Sequence, residues 1–220
     1  YPKDGLIGLY ERTGDPAILG RMTKLADAMI ANSTVTSRYG LIPARDSETN
    51  GNVLQAFSRL NFAAGDARYG EMAGRLADAV TQQMFARTGD LPVMDFDYSA
   101  DSYTDDIVQL RDHGNEAAVG LSEAYAMAVS RRAEPEWAAR ADRWAEPIAR
   151  MFEAILTHGV DANGLIVNRI SQKTLEPVNL GACVNWGYLL TGAILFTDAA
   201  SRHGKLPAER LNKILDRVDK

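Results

Sequence analysis

The chain has 220 residues, 46% hydrophobic and 24% charged, as expected of a folded globular protein with one sizeable core. A net charge of −5 without a Lys/Arg run argues against a nucleic-acid partner, and a lone cysteine, Cys183, excludes an internal disulfide and a multi-cysteine metal site. The apolar part of the longest uncharged run, Gly181 to Thr197, is about 17 residues and carries Asn185 and two threonines, short of the roughly 20 apolar residues that cross a bilayer.

The chain opens at Tyr1-Pro2 without an initiator Met, which suggests a removed targeting segment or a start inside a longer chain, and leaves cytoplasm and periplasm or secretion both open. Gly5 to Tyr10 reads as the end of an apolar helix, and Thr13-Gly14-Asp15-Pro16 breaks it with N-terminal helix signals. Ile18, Met22, Leu25 and Met29 then form one apolar stripe at helical spacing. A link containing Gly40-Leu41-Ile42-Pro43 leads to a second apolar helix, Val53 to Phe57 continuing to Leu60 and Ala64. After Ala64-Gly65-Asp66, Met72, Leu76, Val80 and Met84 repeat the stripe. The motif Gly14-Asp15 with Leu25-Ala26-Asp27-Ala28 recurs as Gly65-Asp66 with Leu76-Ala77-Asp78-Ala79, an internal repeat at an offset of 51.

A second long link starts at Gly89-Asp90-Leu91-Pro92 and precedes the apolar stretch Ala117 to Val129. Past Arg132-Ala133-Glu134-Pro135, Trp137, Ala141, Trp144, Ile148, Met151 and Ile155 form the clearest amphipathic helix. Pro147 lies inside it and should kink it near Arg143. The link at Gly164-Leu165-Ile166-Val167 contains a candidate β-hairpin, 165–170 with 174–178, turning at Ser171-Gln172. Val184 to Phe196 is the last and most apolar helix, followed by a shorter stripe of Leu211, Ile214, Leu215 and Val218.

Helices apolar nearly all round therefore alternate with helices apolar on one side, four times over. A helix without a wet face has to be covered on all sides. The pattern predicts one all-α domain over 1–220, an (α/α) arrangement of helical hairpins in two layers. Short links fall on one rim. Long links of roughly 17 to 28 residues fall on the other, with the inner-helix N-termini, and loops of that length are usually functional.

The long-link rim carries the candidate chemistry. At the junction before the third inner helix stand Arg111, Asp112, His113, Asn115 and Glu116. Its counterpart one hairpin earlier holds Arg45, Asp46 and Glu48. Asp112, Asp46, Glu116 and His113 are the acid–base candidates, because a carboxyl in a partly apolar funnel has its pKa raised toward proton donation. Asp112 and Asp46 facing one another would make the carboxylate pair of glycoside hydrolysis. Helix capping is the competing role for Asp46, Asp112 and Asn115. Arg45 and Arg111 suit an acidic sugar, and Glu48, Asn115, Asn185, Trp186 and Tyr98 suit sugar hydroxyls and ring faces. The acidic loop Asp95, Asp97, Asp101, Asp105 and Asp106 falls short of a calcium loop, lacking its glycine and its bidentate glutamate. No metal or cofactor is expected, since the sequence has no P-loop, dinucleotide glycine fingerprint, HExxH or Cys/His zinc set.

The hairpin pattern resembles the six-hairpin glycosidase superfamily, whose (α/α) toroid closes with six inner and six outer helices. About four of six hairpins would be present here, so a further chain segment or an oligomer is expected to close the ring. Arg111-Asp112-His113-Gly114-Asn115-Glu116-Ala117-Ala118 is similar to the loop-to-inner-helix junction of unsaturated glucuronyl hydrolases, which place catalytic aspartates there. The resemblance implies a carbohydrate-active enzyme, in the first instance a glycoside hydrolase using paired carboxylates, with a sugar epimerase or a non-catalytic glycan-binding protein as alternatives.

Overall fold

A computed structural model describes residues 3–111, 113–183 and 186–219. A π-helical turn, Lys3–Ile7, runs into α1 (Gly8–Thr13), which turns back as α2 (Pro16–Ala31). The strands β1 (Val35–Ser37) and β2 (Gly40–Ile42) lead to α3 (Ser47–Ala63). Its partner is one long helix in three parts: α4 (Ala67–Asp78), a π segment (Ala79–Met84) and α5 (Phe85–Thr88). Then come β3 (Ile107–Gln109), α6 (Asn115–Ser130) and α7 (Pro135–His158), followed by β4 (Val167–Ser171), β5 (Pro177–Ala182), α8 (Trp186–His203) and α9 (Ala208–Val218). The alternation read from the sequence is thus present as four helical hairpins, with α3 packed on α6 and α6 on α8 in the inner row, and α4 on α7 and α7 on α9 outside.

The repeated short link works by the same local chemistry twice. Gly14 and Gly65 sit at φ 65° and 64°, a left-handed conformation that glycine adopts at little cost. Asp15 and Asp66 then cap the next helix, accepting from the N–H groups of Ala17 and Arg68 at 2.8 and 3.0 Å. Pro147 stays within α7. It cannot donate to the carbonyl of Arg143, and the side chain of Gln82, in the π segment, donates to that carbonyl at 3.4 Å instead.

Three expectations change. The inner helix α3 is buried almost throughout, yet the buried set includes Ser47, Asn50, Asn52, Gln55, Ser58 and Asn61, so it is not apolar all round. The last inner helix, α8, has one open side, where Trp186 and Ile194 are about half exposed (52% and 50%). The β-hairpin turns over 172–176, not at Ser171-Gln172: Ile170 pairs with Pro177 and Val167 with Ala182. Ser171 organises this turn through its hydroxyl, which accepts from the N–H groups of Lys173 and Thr174 at 3.2 Å each. β3 joins the other side of β4, so two long links share a three-stranded sheet.

Candidate active site on the concave face

The inner row approaches itself most closely where α3 meets α6. A side-chain carbon on Gly51 would lie 2.2 Å from the Glu116 carbonyl carbon, and one on Gly120 would lie 2.5 Å from the Gly51 oxygen. Only glycine permits that contact. It sets the first turns of α3 and α6 side by side, and with them the two junctions singled out in the sequence.

The two junctions meet where His113 Nδ1 lies 2.7 Å from Glu48 Oε2. His113 is at φ 73°, a conformation disfavoured for a residue with a Cβ, and is half exposed at the entrance to α6. Backbone strain of this kind gathers at functional positions. Glu116, partly buried, stands in the first turn of α6, and its backbone carbonyl accepts from Gln55 Nε2 at 3.3 Å. Gln55 Oε1 in turn accepts from the hydroxyl of Tyr188. Tyr188 belongs to α8 and Gln55 to α3, with α6 between them. The outer side of the row is covered by α4 and α7, so these side chains meet on the concave side.

Further along the same face, Arg59 of α3 donates to both carboxylate oxygens of Glu11 on α1, the Nε contact being 2.9 Å. Glu123 of α6 lies within the field of both, and burial pushes its carboxyl above the usual range, with Glu11 adding to the rise and Arg59 opposing it. The inner row thus carries Glu48, His113 and Glu116 near the rim, Gln55 and Tyr188 below, and Glu11, Arg59 and Glu123 toward the C-terminal ends of the inner helices.

Other sequence candidates take different positions. Asp46 caps α3: its Oδ1 accepts the Thr49 N–H at 2.7 Å, and its backbone bridges to Asp95. Arg45 turns away from Asp46 and holds Asp95 and Asp97 at 2.9 and 3.0 Å, so its guanidinium is engaged on the acidic loop. Asp97 is held below the usual carboxylate range, first by the Ala100 N–H and also by Arg45. Asp101 is shared by Arg38 and Arg87. Arginines therefore partner these aspartates, and among the described residues no group of three potential metal ligands forms.

Tyr98 is buried beneath that loop, edge-on to Phe96 at 5.0 Å between ring centroids, so its ring does not line the mouth. Burial raises its hydroxyl pKa. Arg111 points along β3 toward Gln109, at 3.4 Å. Asn115 is 1% exposed, and neither of its amide atoms has a hydrogen-bond partner among the described residues, which is unusual for a buried side chain. Trp186 lines a separate cavity of about 260 Å³ with Leu156, Leu165 and Leu190, at the edge of the row. Asp112 and Asn185 lie outside the described residues.

Sequence reading missed Gln55, Arg59, Glu123 and Tyr188. The signal was present: Glu48, Asn52, Gln55, Arg59 and Phe62 follow one another at spacings of 4, 3, 4 and 3, a largely polar stripe on a helix buried on its other sides.

No protein-family model matches the sequence, and no curated protein matches it. Among solved structures, a cellobiose 2-epimerase from Bacillus thermoamylovorans is similar over 97% of this chain and 55% of its own, at 13% identity and a TM-score of 0.61. The chain spans about half the length of that structure. No helix among the described residues is long and apolar enough to cross a membrane. The likeness is one of fold, and by fold this chain is an all-α protein of helical hairpins arranged as in that epimerase.

Proposed function

We propose that this protein is a carbohydrate-active enzyme working by acid–base chemistry on the concave face, and that its reaction is epimerisation or isomerisation of a sugar. The observation that carries this reading is the 2.7 Å contact between His113 Nδ1 and Glu48 Oε2, which joins two inner-helix entrances. A carboxylate accepting the Nδ1 proton orients the imidazole and raises its basicity, leaving Nε2 to take up a proton. A proton next to the carbonyl of an open-chain sugar is the natural target. Glu116, in the first turn of α6, is the candidate to return a proton, and the Tyr188 hydroxyl, oriented by its bond to Gln55, presents its oxygen to a sugar hydroxyl. The fold supports the same class, since a cellobiose 2-epimerase shares it.

Glycoside hydrolysis is the second reading, favoured by one observation: Glu48 and Glu116 stand in the first turns of packed neighbouring helices, where two carboxylates could flank a glycosidic bond. Asp46 is a weaker partner in that scheme because its carboxylate already caps α3.

Incubating the protein with neutral mono- and disaccharides in deuterated water separates the two. Epimerisation places deuterium on the carbon beside the carbonyl, whereas hydrolysis creates new reducing ends. His113→Asn should lower turnover by about 10²- to 10⁴-fold with little change in melting temperature. An unchanged rate in that variant would remove His113 from the mechanism.

A further inference from the structure

Arg169, on β4, differs from the other arginines of the long-link rim. On the neighbouring acidic loop, Arg38, Arg45 and Arg87 are each held by carboxylates. Arg169 makes no ion pair with a described residue, and its guanidinium donates instead to Gln109 Oε1, from Nε at 3.3 Å. The same oxygen accepts from Arg111 Nε at 3.4 Å. Two guanidinium groups thus lean on one neutral amide oxygen, and both side chains belong to partly exposed residues. Like charges brought together in a half-buried place repel, and an anion bridging them removes that cost.

Strand register explains the convergence. Gln109 on β3 and Arg169 on β4 are direct partners across the strands, so their side chains share one face of the sheet, and Arg111 reaches back to the same amide. The other face carries Val108 and Ile170, both fully buried. Gln109 in turn backs the entrance of α6. A side-chain carbon on Gly114, the residue before that helix, would lie 2.5 Å from the Gln109 Cβ. The Gln109 amide also donates to Met94 Sδ at 3.3 Å, and the Met94 carbonyl accepts from the N–H of Ser47, the first residue of α3, at 3.0 Å. The arginine pair is therefore tied to the start of two inner helices, where open N–H groups add to the attraction for an anion.

We infer that Arg111 and Arg169 form an anion clamp that holds a phosphate group carried by the sugar at His113. This names a substrate class for the proposed site and rests on that carbohydrate reading. Two guanidinium forks match a phosphate, with its three acceptor oxygens and nearly double charge, better than the two oxygens of a single carboxylate. The spacing suits a hexose phosphorylated at C6. Arg111 and His113 are two residues apart, so their Cα atoms are separated by at most about 7 Å, and the chain of bonds from C2 to phosphorus in an open-chain sugar extends about as far. The clamp makes the protein selective for hexose 6-phosphates over the neutral sugars. Arg169 sets that preference without taking part in the proton transfer at His113.

The test is titration calorimetry with glucose, glucose 6-phosphate, glucuronate and inorganic phosphate on wild type and Arg169→Gln. Deuterium uptake from heavy water is followed for the two glucose forms. Wild type should bind glucose 6-phosphate at least about tenfold more tightly than glucose, glucuronate or phosphate alone, and Arg169→Gln should remove about tenfold of that affinity while leaving glucose unchanged. Should Arg169→Gln fail to melt cooperatively, Arg169→Lys replaces it, with a smaller loss because an ammonium cannot make the paired bonds of the guanidinium fork. Equal affinity of a folded variant and wild type for glucose 6-phosphate overturns the clamp. So does glucuronate or phosphate alone binding as tightly as the sugar phosphate. If glucose takes up deuterium in a His113-dependent way and the phosphate brings no gain, the clamp alone falls. If glucose 6-phosphate binds through Arg169 and neither sugar is turned over, the clamp stands and the enzymatic reading falls.

Discussion

Asp46 and Glu48 are two residues apart and have different fates. The carboxylate of Asp46 is drawn onto the open N–H groups of its own helix, whereas Glu48, inside the first turn, projects across to His113. Ser, Thr, Asn and Asp are short enough to cap, and glutamate at this position is long enough to reach a neighbouring helix. Asp46→Ala should cost about 1 kcal/mol of stability, and Asp46→Asn should restore most of it, as measured by denaturant unfolding. Loss of turnover in a fully stable Asp46→Asn protein would return that carboxyl to the chemistry. Residue type and proximity to a helix start were enough to nominate His113, Glu116 and Glu48 from sequence. Which carboxylate is consumed by capping depends on side-chain reach, and that is set by backbone direction.

At the scale of elements, two contacts between helices hold the site in register. Gly51 and Gly120 let α3 and α6 approach to backbone contact, and Gly51→Ala should cost about 1 to 3 kcal/mol or more, seen as a lower melting temperature, because backbone would have to move. The second contact ties the outer layer together. Asp78, at the end of α4, accepts from Trp144 Nε1 at 2.8 Å, Arg140 Nε at 3.2 Å and Arg143 Nη2 at 3.3 Å. Asp78 and Arg140 side chains are only 5% and 9% exposed. Asp78→Ala would strand a buried guanidinium, and a loss of about 3 to 5 kcal/mol is expected in chemical denaturation. A near-neutral result would show that Glu71 and Glu136 satisfy Arg140 unaided. The stripes of α2, α4 and α7 were legible because their polar faces point to water. The polar stripe of α3 was not, since a polar residue on an inner helix looks the same in sequence whether it faces a neighbour or a site.

For the whole molecule, the concave face gathers more carboxylates than cations, and the cost falls on Glu123. Its carboxyl is raised in the folded protein, chiefly by burial, so folding favours the protonated form. Stability from this group is full below the unfolded carboxyl range and is lost as pH rises through the folded value. Glu123→Gln cannot ionise, so its melting temperature should gain on wild type as pH rises above the unfolded carboxyl range of about 4. Parallel curves would mean that solvent, Glu11 and Arg59 leave the carboxyl as it is in the unfolded chain. The row also has open ends: Leu9 on α1 and Ile194 on α8 are each about half exposed (48% and 50%), as expected of a curved row of inner helices.

Sequence alone determined the hairpin count, the order of inner and outer helices and the rim on which the long links gather, because periodicity and helix-breaking residues are local properties. The paired glycine turns and their aspartate caps were legible for the same reason. Tertiary structure decided that His113 meets Glu48, that Arg45 belongs to the acidic loop, that Tyr98 lies under that loop and that Tyr188 reaches Gln55 past an intervening helix. Each of these joins residues about 50 or more positions apart or depends on which way a loop folds back. No local pattern encodes them. They follow from how closely α3 and α6 pack, and from the curvature that this packing imposes on the row.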